Sequence, residues 1–200
     1  GGVRALEHHS ESRQAYWAHT PGLKVVIPSG PRNARALLVS AIRDPDPVIF
    51  YEAKALYRAF REEVPEEEEL LPIGQARIAR PGKALTMISY GAMLRPTLEA
   101  AEELSARDRV EAEVIDLLTL SPLDSDLMAA SVRKTGRAVI VHEAPQSFGP
   151  GAEIAARLLE DAFYSLEAPI ERVAGFDLVI PYFSREKHYI PGMQRIVAAA

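Results

Sequence analysis

The chain has 200 residues, of which 48% are hydrophobic and 26% are charged, a composition typical of a folded globular protein. Its formal net charge of −5 argues against a nucleic-acid-binding protein, because such proteins need a basic surface. The absence of cysteine excludes disulfides and a thiol nucleophile, and the lack of a membrane-spanning apolar run or a signal peptide predicts a cytoplasmic protein.

The first part of the chain predicts a strand, a helix and a second strand. Residues 23–27 (LKVVI) form a short, β-branched apolar run closed by Pro28 and Gly30, as is typical of a buried strand. A helix is expected to follow, because Pro31 suits a first helical turn. Apolar residues recurring at spacings of three and four give this helix one apolar stripe: Ala34, Leu37, Leu38, Ala41 and Ile42. Residues 48–52 (VIFYE) predict the next strand.

An acidic stretch with a proline near each end, residues 62–72, predicts a domain boundary, because a packed core cannot continue through such a charge run. We therefore divide the chain into domains at 1–66 and 67–200. In the second domain strands and helices alternate: strands at 85–91, 111–117, 138–144 and 170–174, and helices at 94–107, 125–134 and 151–166. This alternation predicts an α/β fold with a mostly parallel sheet covered on both faces.

Polar residues gather where these predicted strands end, namely Ser89, Tyr90, Asp116, His142 and Glu143. In open α/β sheets binding sites form at the carboxyl ends of strands, so these residues are site candidates. The alternative, that they only end strands and cap helices, is the commoner situation. The chain has no phosphate-binding loop, no dinucleotide fingerprint, no H-E-x-x-H motif and no G-x-S-x-G motif, which argues against the corresponding enzyme classes.

Two adjacent histidines, His8 and His9, lie ahead of the first strand in "LEHHSESRQAYWAHTPGLKVVIPSGP", residues 6–31. Imidazole is the side chain that changes charge near neutral pH, so this segment is a candidate for proton transfer. In an extended chain the two side chains point to opposite faces, and at most one of them then faces a given pocket. A structural histidine is the more common alternative.

The motifs of this chain also follow one another in a familiar order: "HHSES", "AHTPGLKVVIPS", "SAIRDPDPVIFYE", "LPIGQARI", "ISYGAM", "SPLD", "KTGRAVIVHEAPQSFGPGAEIAARL" and "APIERVAGFD". Over essentially its whole length the chain resembles the beta subunit of the thiamine-diphosphate-dependent 2-oxoacid dehydrogenases, the decarboxylating component of the pyruvate and branched-chain complexes. The resemblance implies the C-terminal part of a pyrimidine-binding domain (1–66) followed by a transketolase C-terminal-like domain (67–200). It also implies a longer N-terminus, which in the family carries the glutamate that activates the cofactor.

By this resemblance His9, directly before Ser10, is the active-site histidine that handles protons during decarboxylation and acyl transfer, and His8 is the less favoured of the pair. Glu11 stands where relatives often carry glutamine or aspartate, and contact with substrate is left open. Leu118 in "DLLT" replaces an arginine of the family pattern, so the ion pair of that arginine is missing here.

The segment "AIRDPDP" is a candidate cation loop. Asp44 and Asp46 each precede a proline, which favours an extended path with outward carbonyls, and carbonyl oxygens suit hard cations. In the family the corresponding loop offers main-chain oxygens to a structural potassium ion. The resemblance therefore makes Ala41, Asp44 and Asp46 candidate potassium ligands; a plain turn that ends a helix is the alternative.

The resemblance further implies the partners and the cofactor. It predicts an assembly of two alpha and two beta subunits that uses thiamine diphosphate, with magnesium held mainly by the alpha subunit, and that passes an acyl group to a lipoyl acyltransferase core. The alternatives are another thiamine-diphosphate enzyme of transketolase or acetoin-cleaving type and a non-catalytic assembly subunit. The identity of the 2-oxo acid is left open, because much of that pocket belongs to the alpha subunit.

Overall fold

The computed structural model describes the chain from residue 1 to residue 200, side chains included except that of Glu7. The helices are α1 (Glu7–Ser10), α2 (Gln14–Ala18), α3 (Pro31–Arg43), α4 (Leu94–Asp108), α5 (Ser125–Thr135), α6 (Pro150–Ala162), α7 (Glu186–Tyr189) and α8 (Met193–Ala199). The strands are β1 (Lys24–Val26), β2 (Val48–Phe50), β3 (Arg77–Arg80), β4 (Leu85–Ser89), β5 (Ala112–Asp116), β6 (Thr119–Ser121), β7 (Ala138–Pro145) and β8 (Glu171–Gly175). Among the described residues, no helix has both the length and the apolar character that crossing a bilayer requires.

The larger sheet has the strand order β3-β5-β4-β7-β8, and its central strands are parallel. Every residue of β4 and of β5 is buried, as expected for strands covered on both faces. One face packs Ile88, Ile115 and Ile140 against α5 and α6, and the other packs Met87 and Val114 against α4 and α8. The predicted α/β fold with a mostly parallel sheet is therefore confirmed.

A second, three-stranded sheet joins the two parts of the chain, with the order β2-β1-β6. β1 and β2 are parallel, whereas β6 runs antiparallel to β1, and the Ile27 amide donates to the Leu118 carbonyl at 2.8 Å. Neither β3 nor β6 is predicted from the sequence, because both are short and pair with strands distant in the chain. Residues on the two sides of the acidic stretch thus share one sheet, and the boundary between 1–66 and 67–200 stays a prediction.

Helix α3 begins where the sequence predicts, with Gly30 as N-cap and Pro31 in the first turn. The Asn33 side chain closes this end, because its Oδ1 accepts the amides of Ser29 and Gly30, each at 3.0 Å. Of the predicted apolar stripe Leu37 is buried, whereas Leu38 and Ile42 are exposed. The helix therefore buries only part of its apolar face against the residues described here.

The acidic stretch follows the basic side of α3 instead of running free in solvent. Arg32 Nε donates to Glu69 Oε2 at 2.8 Å, and Arg43 binds Glu68 at 2.7 Å. Arg35 reaches main-chain carbonyls of the same stretch. Each exposed ion pair of this kind contributes less than about 1 kcal/mol, so the stretch is held by several weak contacts.

Candidate active site

The two histidines lie on the single helical turn α1, and both are exposed. Their ring centroids are 4.1 Å apart, with the ring planes tilted by 45°. The expected extended segment, with His8 and His9 on opposite faces, is wrong. In a helical turn successive side chains are about 100° apart and not about 180° apart, so neighbouring rings can touch. The two imidazoles therefore form one exposed patch.

Two polar residues, one in this turn and one in the helix that follows, are buried. The His9 amide donates to the Leu6 carbonyl at 2.9 Å, and Ser10 and Gln14 are both buried. Glu11, whose role the sequence left open, binds the Arg13 guanidinium, with Nε 2.7 Å from Oε2. This ion pair is local, since it joins residues two positions apart at the surface.

A cleft of about 1090 Å³ opens between α2 and the start of α6. His19, Tyr16 and Arg157 give it polar groups, and Phe148, which is 95% exposed, stands at its edge. In the part of the chain that the structure describes, His9 does not line this cleft. The cleft has no local sequence signal, because its walls come from segments more than a hundred residues apart.

Asp116, at the end of β5, is completely buried and connects the two sheets. Its Oδ2 accepts a hydrogen bond from Ser29 Oγ at 2.5 Å and from Arg77 Nε at 3.0 Å, and Asn33 Nδ2 in turn donates to Ser29 Oγ at 3.0 Å. Burial raises the pKa of the Asp116 carboxyl, while Arg77 and Ser29 act in the opposite direction. The structure thus favours a structural role for this strand-end residue.

His142, in β7, is also completely buried and stacks on Tyr90, with ring centroids 6.3 Å apart. Among the described residues neither ring nitrogen has a hydrogen-bond partner. A Cβ atom at Gly151 would lie 2.5 Å from His142 Nε2, so glycine at the start of α6 makes room for the ring. Burial lowers the pKa of His142 from 6.5 to about 4, which keeps the imidazole neutral near pH 7.

The depressed pKa of His142 predicts that the fold loses stability in mild acid. Between about pH 6.5 and 4 the unfolded chain takes up a proton at this position and the folded chain does not, so the free energy of unfolding falls as the pH falls. The shift corresponds to a loss on the order of 3 kcal/mol across that window. Urea unfolding at pH 7 and pH 4.5 measures it.

We expect His142→Gln to flatten this pH dependence whatever its effect on absolute stability, whereas His188→Gln, at an exposed histidine, should keep the parental slope. Equal slopes for the parent and His142→Gln would show that another group governs acid sensitivity.

The candidate potassium loop follows α3 and is held by one lysine. Lys24 Nζ lies 2.7 Å from Asp44 Oδ1 and 3.0 Å from Asp46 Oδ2, and the Asp46 amide donates to Asp44 Oδ1 at 3.0 Å. The hydrogen bond from Lys24 lowers the pKa of Asp44 and raises that of the lysine. Asp44 has φ −71° and ψ 133°, so the extended conformation expected before a proline is confirmed.

The main chain of this loop fits a cation better than its side chains do. Pro45 and Pro47 have no N–H group, so the carbonyls of Ala41 and Arg43 lack the donor four residues on that a helix would supply. Among the described residues no cluster of three or more His, Asp and Glu side chains is arranged to hold a metal. A cation at this loop would therefore depend on main-chain oxygens, as the resemblance implies.

Comparison with known proteins gives the class first. The chain belongs to the transketolase C-terminal domain family, because the family model described as "Transketolase, C-terminal domain" matches residues 74–196. A second family model, described as "Transketolase, pyrimidine binding domain", matches residues 1–59. Among individual relatives, it is 50% identical over 200 residues to the pyruvate dehydrogenase E1 component subunit beta of Staphylococcus epidermidis, and 48% identical to that of Staphylococcus aureus. These alignments cover all of this chain and 61% of each relative.

A solved structure supports the same fold. A split-gene transketolase, described as an inactive beta4 tetramer, superposes with a TM-score of 0.81 at 26% sequence identity, covering 96% of this chain and 61% of that one. The chain thus spans about three fifths of the proteins it matches. The resemblance to 2-oxoacid dehydrogenase beta subunits and the two predicted domain types are confirmed.

Proposed function

We propose that the chain belongs to the beta subunit of the decarboxylating component of a pyruvate dehydrogenase, acting in the cytoplasm. The observation that carries this proposal is the 48–50% identity to pyruvate dehydrogenase E1 beta subunits across all 200 residues. A branched-chain 2-oxo acid is the second candidate substrate. An enzyme of transketolase or acetoin-cleaving type and a non-catalytic assembly subunit are the alternatives that the experiments below distinguish.

In this proposal His9 moves protons during decarboxylation and acyl transfer. Thiamine diphosphate, when bound, supplies the carbanion chemistry by which a 2-oxo acid loses carbon dioxide. The imidazole of His9 is exposed, so one of its nitrogens can give a proton to, and take one from, a group bound outside this chain. His142 is unsuited to this task, because its imidazole is enclosed and stays neutral near pH 7.

The proposal includes an alpha subunit that holds most of the magnesium site, a second beta subunit and a lipoyl acyltransferase core. Large apolar side chains on the surface support the need for partners: Tyr164 is 99% exposed and Ile42 is 75% exposed. Light scattering of the full-length protein co-expressed with its alpha subunit tests the assembly. We expect the mass of two alpha and two beta subunits, and the masses of separate monomers would contradict it.

A structural potassium ion at the loop of Ala41, Asp44 and Asp46 predicts stabilisation by potassium. A ligand that binds only the folded state stabilises it by RT ln(1 + [L]/Kd), which is about 1.4 kcal/mol at ten times Kd. Replacing Pro45 and Pro47 by alanine restores two N–H groups and loosens the loop, so the potassium-dependent rise in Tm should shrink.

The comparison uses potassium chloride against sodium chloride at equal ionic strength, which separates ion binding from screening. Pro81→Ala, at an exposed proline outside the loop, serves as the control and should keep the full potassium effect. A parent protein whose Tm is the same in both salts would rule out the site.

A further inference from the structure

The segment just before the histidine turn is fastened to the far end of the chain by one carboxylate. Gly2 donates its amide to Glu186 Oε1 at 2.6 Å, and Arg4 donates its amide to Glu186 Oε2 at 2.7 Å. Glu186 opens α7, in the C-terminal domain, and is only 2% exposed. Both oxygens of a buried carboxylate are thus used to hold residues 2–4.

The backbone of this segment is shaped around that carboxylate. Gly2 has φ +84° and Arg4 has φ +54°, so both residues adopt the left-handed region. An arginine rarely adopts this region, and it persists only where the surroundings stabilise it. Successive N–H groups in such conformations converge on an anion. No lysine or arginine side chain forms an ion pair with Glu186 in the described part of the chain. The amides of Gly2 and Arg4 are therefore the groups that stabilise the Glu186 carboxylate.

Apolar contacts also hold residues 2–4 in place; we call the position of these residues against Glu186 the seat. A Cβ atom at Gly2 would lie 3.2 Å from Ala55 Cβ and 4.0 Å from Ile190 Cδ1, so residue 2 fits between α7 and the segment around Ala55. A small cleft of about 200 Å³ runs beside it.

This seat lies immediately before the candidate catalytic residue. Only Ala5 and Leu6 separate Arg4 from α1, and two residues span at most about 7 Å of extended chain. Because the His9 amide also bonds back to the Leu6 carbonyl, a displacement of Arg4 is passed on to the turn.

We propose that Glu186 is a positioning residue for His9, through which the C-terminal domain fixes the histidine turn of the pyrimidine-binding domain. This inference rests on the proposed role of His9. Catalytic groups misplaced by about 1 Å can lose about 10²-fold in rate, so a carboxylate outside the reacting centre can have a large effect on turnover. Its contribution to stability should be smaller, because the hydrogen bonds it makes hold residues 2–4, which lie outside the apolar core clusters.

The test uses the full-length protein assembled with its alpha subunit. We expect Glu186→Ala to lower turnover by about 10- to 100-fold with little change in KM for pyruvate, and Glu186→Gln, which keeps the shape and one acceptor oxygen, to fall between it and the parent. Glu102→Ala, at an exposed glutamate on α4, should match the parent. Gly2→Ala disturbs the seat without touching Glu186 and should reproduce the loss.

Two further measurements separate positioning from a general loss of structure. Amide hydrogen exchange of residues 2–10 should become faster in Glu186→Ala, while exchange in α4 stays at the parental rate. In a His9→Ala background, Glu186→Ala should lower turnover by no more than about twofold, because Glu186 acts through the histidine.

Rate losses that multiply in the double variant, or unchanged exchange of residues 2–10, would overturn the inference. A His9→Ala variant with parental turnover would instead contradict the proposed role of His9 itself, so the two failures are distinguishable.

Discussion

Replacing His9 by alanine should lower the turnover of the assembled enzyme by about 10²–10⁴-fold, which corresponds to roughly 3–5 kcal/mol at the barrier. The loss is expected because, in the proposed function, His9 gives and takes a proton in the transition state. Tm should change little, since the imidazole is exposed and its ring contact is with the neighbouring His8. Single-turnover kinetics with acylation of a lipoyl domain as readout measure the effect.

The choice of control follows from the geometry of the turn. Because the rings of His8 and His9 are 4.1 Å apart, His8→Ala changes the surroundings of His9 and should cause an intermediate loss. The exposed His188 is the better control, and His188→Ala should keep parental turnover. A His9→Ala enzyme that turns over at the parental rate, or a His8→Ala enzyme that is slower than it, would show that His9 is not the catalytic histidine.

Replacing Asp116 by alanine should cost about 3 kcal/mol of stability. The change leaves Ser29 without its carboxylate partner and Arg77 without a counter-ion at the junction of the two sheets. The cost lies at the lower end of the range for buried ion pairs, because the Arg77 side chain is half-exposed and can turn to water. Burial of the carboxylate, which raises its pKa, also offsets part of the pair's benefit.

Thermal and urea unfolding of the full-length subunit measure this loss. Asp116→Asn keeps the shape and should retain more stability than Asp116→Ala, while Asp126→Ala, at an exposed aspartate of α5, should stay within about 0.5 kcal/mol of the parent. If Asp116→Ala and Asp126→Ala were equally stable, the network around Asp116 would have no role in joining the sheets.

The sequence predicts the central strands and the long helices well, because their signals are local. β4, β5 and β7 are short segments rich in apolar residues, and α3 begins at a proline. β3 and β6 have only four and three residues, and their pairing with β5 and β1 is antiparallel and decided by tertiary contacts. Periodicity within a short window does not reveal such pairing.

The residues of the candidate site also fall into those that the sequence predicts and those that it does not. Residue type and motif point to His9 and to the loop around Asp44, and a residue before proline has one favoured conformation, which the structure confirms. The helical turn at His8 and His9 was not predictable from four residues. Glu186 carried no sequence signal, because its hydrogen bonds join residues 182 and 184 positions apart.

The most direct test of the account is acyl transfer by the full-length protein assembled with its alpha subunit. With thiamine diphosphate, magnesium and pyruvate present, we predict release of carbon dioxide coupled to acetylation of a lipoyl domain, with branched 2-oxo acids processed more slowly. Transfer of a two-carbon unit between sugar phosphates without lipoyl acylation, or the absence of any decarboxylation by the correctly assembled complex, would contradict it.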